Sequence, residues 1–398
     1  MKLLTVEDAR ARMLAGIAPL GVETATLARA QGRFLAQDVI AARDQPPFAA
    51  SAMDGWAVMA ADGAGPRRIV GESAAGRGFA RDLLAGEAVR IFTGAPIPDG
   101  ADAVVIQEDA TRDGDTVLIP AITHPRHIRP AGQDFHAGAR LLTAGVRLDP
   151  WRLALAAAAG AGALTVARKP RVAILSTGEE VIEPGGAPGP FQIFNSGTTA
   201  ICALVEAWGG EAVPLRPVGD NLAATARAVE GVACDLIVTL GGASVGDHDL
   251  VKPAMATLGL VLAVESVAVR PGKPTWFGAL GDGRKVLGLP GNPASSLVCA
   301  EIFLKPLLRT LLGADPALPL ISAKSAHALP VNGSREHWMR ARLTHDESGA
   351  LIAEAFNDQD SSLVTVFADA DALVRRGVGA AAVAANGAVD VLRLERLG

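Results

Sequence analysis

A chain of 398 residues exceeds what one hydrophobic core serves, because single cores stop growing near about 250–300 residues, so three or four domains are expected. With 49% hydrophobic and 20% charged residues, the composition is that of a folded globular protein and excludes a disordered chain. The formal charge of -5, from 37 basic and 42 acidic side chains, gives no electrostatic reason to bind nucleic acid or an anionic membrane, and points instead to a small polar ligand.

Glu7 and Asp8 interrupt the N-terminal apolar stretch, which lacks the layout of a signal peptide, and a cytoplasmic protein is expected. From Thr5 to Ala42 the pattern predicts helices: Val6, Ala9, Met13 and Ile17 share a face, and Val22 to Leu35 repeats it with Gly32 as an interruption. Between Gly65 and about Leu148 the apolar runs are short and alternating. There Asp113-Gly114 predicts a hairpin turn between Gln107-Glu108-Asp109 and Val117-Leu118-Ile119. The Ala- and Gly-rich segment Leu153 to Ala167 is too short to span a bilayer and reads as a closely packed helix or turn.

After Pro170 the texture changes. Val172 to Leu175, Leu236 to Leu240 and Val286 to Leu289 are continuous apolar runs of the kind that form buried parallel strands, with helical segments between them. Asn195-Ser196 opens a helix over Thr198 to Trp208 that Gly209-Gly210 ends, and Asn292-Pro293 opens another toward Gly313. Beyond Asp315, Met339 to Leu343 and Leu351 to Phe356 flank Asp346-Glu347-Ser348-Gly349 in a small β domain.

Open α/β sheets bind ligands outside the carboxyl ends of their strands. Here those ends run into Ser176-Thr177-Gly178-Glu179-Glu180, Gly241-Gly242-Ala243-Ser244-Val245-Gly246-Asp247 and Pro290-Gly291-Asn292-Pro293. One glycine turn after a strand is weak evidence, but three on one sheet edge describe a phosphate site built from backbone amides. Neither the Walker pattern nor the dinucleotide Gly-x-Gly-x-x-Gly fingerprint is present. Arg270-Pro271-Gly272-Lys273-Pro274 holds two cations on a proline-stiffened turn. That suits an oxyanion, and read locally it is equally a solvated basic turn. Asp54, Glu180, Asp220, Asp247 and Asp249 stand in glycine-flanked loops; singly each reads as a turn former, while as a set they suit Mg²⁺ beside phosphates. His124 and His127 are separated by Pro125 and do not share a helix face, and Cys202, Cys234 and Cys299 read as core packing. Trp56, Trp208, Trp276 and Trp338 read as packing too, with Trp56 beside Asp54 also a candidate for an exposed loop.

Taken in order, several blocks resemble the molybdopterin molybdenumtransferase family, which includes the gephyrin scaffold of animals. They are Pro46-Pro47-Phe48 with Ser51-Ala52-Met53-Asp54-Gly55, Thr93-Gly94-Ala95-Pro96-Ile97-Pro98, Gly132-Gln133-Asp134, Ser176 to Glu180, Gly241 to Asp247, Pro271 to Pro274 and Leu289 to Pro293. The resemblance implies an elongated homodimer with a multidomain α/β plus β fold. An extended helical dimerisation domain is expected at 1–45 and 138–168, a β-rich domain at 46–137, a three-layer α/β/α domain with a mostly parallel sheet at 169–314, and a C-terminal β-barrel at 315–398. The β-rich domain of one subunit would face the α/β domain of the other.

It further implies that Thr177, Gly178, Asn195, Ser196, Asp220, Gly241, Gly242, Ser244, Gly246, Asp247, Pro290, Gly291 and Asn292 hold the pterin phosphate or its adenylyl group. Arg270 and Lys273 match the basic anion-binding turn, and Ser361 a position near the site. Asp54, Thr93, Asp134, Glu180 and Asp249 match positions needed for activity, with Asp54, Glu180 and Asp249 implied for Mg²⁺. The implied reaction is Mg²⁺-assisted insertion of molybdate into adenylylated molybdopterin with release of AMP. The implied partners are an upstream molybdopterin adenylyltransferase and an acceptor molybdoenzyme or its chaperone. The alternatives are a gephyrin-like peptide-binding scaffold and the adenylyltransferase itself. Trp56, Glu179, Ser266 and Asp360 depart from the usual Tyr, Asp, Lys and Gly of the pattern.

Overall fold

The computed structural model describes residues 3–122, 127–242 and 250–396, and the chain divides into two units. The smaller comprises Thr24–Gln31 and Gln37–Thr165. Its centre is a six-stranded sheet in the order Ala103–Ile106, Gly55–Val58, Glu87–Ile91, Gly65–Ser73, Thr116–Ile119, Thr111–Asp113. Period-two alternation sends Trp56, Val58, Ala88, Val105, Val117 and Ile119 into one core and Ala57, Val89, Ile91 and Val104 into another. The hairpin forms around Gly114 at φ +56°, but its first strand is Thr111–Asp113. Gln107–Asp109 is a 3₁₀ turn instead, begun where the Gln107 amide donates to the Asp54 carbonyl. The Ala-rich segment starts as a helix, Pro150–Ala158, which Asp149 caps through the Arg152 amide and Gly160 ends at φ +94°, but its remainder, Ala163–Ala167, is a strand and not the expected helix or turn.

Two expectations need correction. Val22 to Leu35 is not a helix: Val22–Thr26 is a strand followed by a single helical turn, Leu27–Ala30. Val22, Thr24 and Thr26 are β-branched and favour the extended backbone over the helical register that their spacing also fits. Trp56 is not on an exposed loop. It is 4% exposed, on a strand, with the Arg90 guanidinium over its ring.

In the larger unit, an α/β sheet contains β1 (Arg171–Ser176), β2 (Glu211–Pro214), β3 (Leu236–Leu240), β4 (Val261–Val264), β6 (Trp276–Ala279) and β7 (Lys285–Leu289). The order is β2-β1-β3-β7-β6-β4, parallel over the first four strands and antiparallel at β6 and β4. Helices α1 (Ser196–Ala207), α2 (Leu222–Val229) and α3 (Val251–Thr257) connect the strands. The last helix runs as α4 (Pro293–Cys299), a π segment (Ala300–Leu304) and α5 (Lys305–Leu311). Pro306 has no amide to give to the ladder, which accounts for the widened turn before it.

Five strands close a barrel: β9 (Glu336–His345), β10 (Leu351–Ala355), β8 (Leu320–Ser325), β12 (Ala388–Arg393) and β11 (Ala372–Arg376), the last pairing back to β9. A two-residue strand, β5 (Val269–Arg270), leaves the α/β domain to pair with the start of β9. One core cluster includes Val269, Leu289 and Val298 together with Trp338, Leu373 and Leu392, so α/β domain and barrel are packed as one body. Lys305, bonded to Glu301 and Glu395, ties the long helix to the end of the chain.

Asn195 illustrates how sequence sets the cleft edge. Its side-chain oxygen accepts from the Thr198 amide and from Ser176 Oγ, both at 3.1 Å, so it caps α1 and fixes the end of β1 together. Asn195→Ala is expected to lower stability by about 1–2 kcal/mol, read as a lower denaturant midpoint with an unchanged slope.

Candidate active-site cleft

The carboxyl ends of β1, β3 and β7 meet at glycines because their backbones touch there. A Cβ on Gly241, at φ +92°, would stand 2.7 Å from the Thr177 carbonyl oxygen, and one on Gly291 3.3 Å from Gly241 Cα. Hydrogen bonds join the three loops, from the Thr177 amide to the Leu240 carbonyl and from the Gly241 amide to the Leu289 carbonyl. They form one edge of a cleft of about 1500 Å³, whose lining includes Thr177, Gly178, Glu180, Asn195, Ser196, Asp220, Gly241, Gly242, Pro290, Gly291 and Asn292. That volume exceeds the roughly 300–1,000 Å³ of an ordinary small-ligand pocket. Among the described residues, Phe194 is the one Phe, Tyr or Trp ring of its lining.

The rest of the lining comes from the 270–274 turn and the barrel. It includes Arg270, Lys273, Arg335 and His337, with Asp358, Gln359, Asp360 and Ser361. The turn is fixed from within: the Val267 amide donates to the Lys273 carbonyl, and Thr275 donates through its amide and its hydroxyl to the Gly272 carbonyl. Across the cleft, Asn292 Nδ2 donates to Ser361 Oγ at 2.8 Å and the Ala294 amide to the Ser361 carbonyl at 3.0 Å. Ser361 therefore latches the barrel to the loop and helix start at 292–294. The barrel residues Arg335, His337 and Gln359 were not singled out by the sequence, because nothing local marks them. Arg340 was missed too: fully buried, it donates to the Asp360 carbonyl and Gln359, while its Nη2 has no partner.

Hard oxygen donors for Mg²⁺ are present. Glu180 and Asp220 both line the cleft, and the Glu180 carboxylate lies over Gly178, where a Cβ would come within 2.5 Å of it. Magnesium usually takes one or two protein carboxylates and completes its shell with phosphate and water, so these residues fit it. Among the described residues, no group of three or more His, Cys, Asp or Glu is gathered for a metal. Ser244, Gly246, Asp247, Asp249 and His124 lie outside the described residues.

Asp54, Thr93 and Asp134 belong to the smaller unit. Gly55 sits where a Cβ would collide with the Val105 carbonyl at 1.9 Å, which anchors Asp54 at the strand entry. Asp54 Oδ1 accepts from the Thr93 amide at 2.7 Å and from its hydroxyl at 2.8 Å. Those two bonds, the amide first, hold the Asp54 carboxyl below its ordinary range, so it is a carboxylate at neutral pH. Asp134 is exposed on a loop closed by its amide on the Gln45 carbonyl.

Cys299 is buried against Gly272 and Thr275, and burial pushes its thiol up to about 12. It is expected to resist an aromatic disulfide reagent until the protein unfolds; with Cys202 and Cys234, which are only partly buried, replaced by serine, rapid labelling of the native protein would refute its assignment to the core.

The fold and the cleft define a multidomain α/β protein whose glycine-rich strand-end loops share one large cleft with Arg270, Lys273 and Arg335. Three family models match it in order: the MoeA N-terminal region (domain I and II) over residues 4–160, a probable molybdopterin binding domain over 173–310, and the MoeA C-terminal region (domain IV) over 322–394. Molybdopterin molybdenumtransferase 2 of Mycobacterium tuberculosis is 37% identical over 83% of this chain and 85% of its own. The molybdopterin molybdenumtransferase of Haemophilus influenzae is 33% identical over 94% of each. The crystal structure of a molybdopterin biosynthesis MoeA protein from Pyrococcus horikosii superposes with a TM-score of 0.84 at 30% identity, covering all of both chains. The chain belongs to the molybdopterin molybdenumtransferase family: it is a transferase of molybdenum cofactor biosynthesis, whose reaction is the insertion of molybdenum.

Proposed function

We propose that the cleft takes adenylylated molybdopterin and molybdate, and that with Mg²⁺ it releases AMP as the metal passes to the dithiolene of the pterin. The observation that carries this reading is that the Thr177, Gly241 and Gly291 loops line one large cleft together with Arg270 and Lys273. The loop amides can donate to the phosphates, and the two cations offset the charge of a phosphate or tetrahedral oxyanion. Glu180 and Asp220 would hold Mg²⁺, which when bound stabilises charge on the leaving phosphate.

The chain's own residues then position the reactants: Ser361 and Asn292 hold the cleft walls together, and the Asp54 carboxylate, pinned through Oδ1 to Thr93, is a fixed negative group. By the resemblance, Asp54 enters the site from a second subunit, so the proposed working form is a homodimer. Supply by an adenylyltransferase, delivery to an acceptor molybdoenzyme and a cytoplasmic location belong to the same proposal. Among the described residues, no helix is long and apolar enough to cross a membrane.

The test is AMP release from adenylylated molybdopterin by the purified protein. Release should require Mg²⁺, stop with a chelator and fall about a hundredfold in Asp54→Ala. Full activity in the chelator would refute the magnesium assignment, and full activity of the variant would remove Asp54 from the site.

A further inference from the structure

Phe191 is 90%, Ile193 59% and Phe194 48% exposed, so three of four consecutive residues leave apolar surface in water. Ile193 and Phe194 do so in the lining of the cleft. Single exposed apolar side chains are ordinary, whereas a group of them marks a place where something binds. Among the described residues of the lining, Phe194 alone offers a Phe, Tyr or Trp ring on which a flat ligand can stack.

The backbone that carries this ring is tied on both sides. Ile193–Phe194 pairs in parallel with Val181–Ile182, the Ile193 amide donates to the Glu180 carbonyl at 2.7 Å, and the Asn195 amide donates to the Ile182 carbonyl at 2.8 Å. Asn195, directly after Phe194, is buried, and its side-chain oxygen accepts from Ser176 Oγ, on the residue before Thr177. Phe194 therefore stands one residue from a bond that reaches the start of the Thr177-Gly178 loop. On its other side the pairing leads to Glu180, which also lines the cleft. The main chain is fixed while the ring is half open to solvent. Such a ring loses little conformational entropy when a ligand covers it, because Phe turns about only two side-chain torsions, and its exposed apolar face gains from being covered.

We propose that Phe194 is the stacking platform for a flat heteroaromatic ring of the substrate, the purine or the pterin end of the adenylylated molecule. This rests on the reading of the cleft as the seat of adenylylated molybdopterin. With a phosphate on the loop amides, a ring joined to that phosphate is held against Phe194, and Ile193 extends the apolar surface beside it. Stacking responds to a flat π-face and not to a hydrogen-bonding pattern, so Phe194 adds affinity without choosing between the two ring systems.

The test compares three phosphates by calorimetry on the whole protein: AMP, the pterin phosphate neopterin monophosphate, and ribose 5-phosphate, which has no ring to stack. Phe194→Ala is expected to weaken AMP, the pterin phosphate or both by roughly 10–100-fold and to leave ribose 5-phosphate unchanged. The ligand that weakens identifies the end of the substrate that Phe194 holds, and unchanged ribose 5-phosphate binding shows that the variant is folded. Phe194→Tyr should restore the affinity, and Phe194→Leu should not. Equal affinities of wild type and Phe194→Ala for all three phosphates overturn the proposal, as does equal weakening of all three, which would make the role structural. A Phe194→Leu protein as tight as wild type overturns stacking as well. If wild type binds none of the three phosphates, the phosphate reading of the cleft fails and the Phe194 assignment fails with it.

Discussion

Gly272→Ala should be among the most damaging single substitutions in the larger unit. The glycine has φ +119°, and a Cβ there would stand 2.1 Å from Cys299 Sγ and 3.3 Å from Val269 Cγ1. Neither neighbour can retreat easily, since Cys299 and Val269 are both fully buried in the core. Overpacking of this kind costs about 1–3 kcal/mol, and the left-handed backbone adds about 1–3 kcal/mol for a residue with a side chain. A loss of roughly 2–6 kcal/mol in denaturant melts is expected from these two terms. Because the relaxation displaces the segment carrying Arg270 and Lys273, anion affinity should fall with it. Adding Cys299→Ala removes the colliding sulfur and should recover the packing part, leaving the backbone part. A Gly272→Ala protein as stable as wild type would mean that the turn is not held as described.

Glu180→Gln should separate function from stability. The Glu180 side chain is exposed and makes no ion pair or side-chain hydrogen bond among the described residues, so folding stability should stay within about 0.5 kcal/mol of wild type. AMP release should nevertheless fall about a hundredfold, and the Mg²⁺ concentration giving half-maximal rate should rise. The amide keeps the shape and one carbonyl oxygen but loses the charge. An unchanged magnesium requirement would move the metal away from Glu180, leaving Asp220 as the cleft carboxylate to test.

How much of this was legible before folding depends on how local each signal is. The parallel strands announced themselves as apolar runs because both of their faces are buried, and the loops after them announced themselves as glycines because backbones touch there, as Gly241 touches Thr177. Asn195 was legible as a helix start for the same local reason. The Val22 to Leu35 stretch was misread because a few apolar residues at helical spacing also fit a short strand plus one turn. Trp56 was half misread because its loop neighbour Asp54 said nothing about the strand that begins at Gly55.

Of the barrel wall only Ser361 was placed near the site, and that through the family resemblance. Arg335 and His337 look like ordinary alternating polar residues, and only the pairing of Arg270 with His337, between segments far apart in the chain, puts them in the cleft. Asp54 and Thr93 were connected only through the family resemblance; the two hydrogen bonds between them are a property of the folded sheet.

The central claim is that metal transfer and nucleotide release are one coupled event in this cleft. It is tested most directly in a single turnover, with enzyme in excess over adenylylated molybdopterin, by measuring AMP released and molybdenum bound to the pterin in the same sample. The account predicts equal amounts of the two, and little AMP when molybdate is withheld. Rapid AMP release without molybdate, with no metal on the pterin, would contradict it and make the protein a hydrolase of the adenylylated substrate.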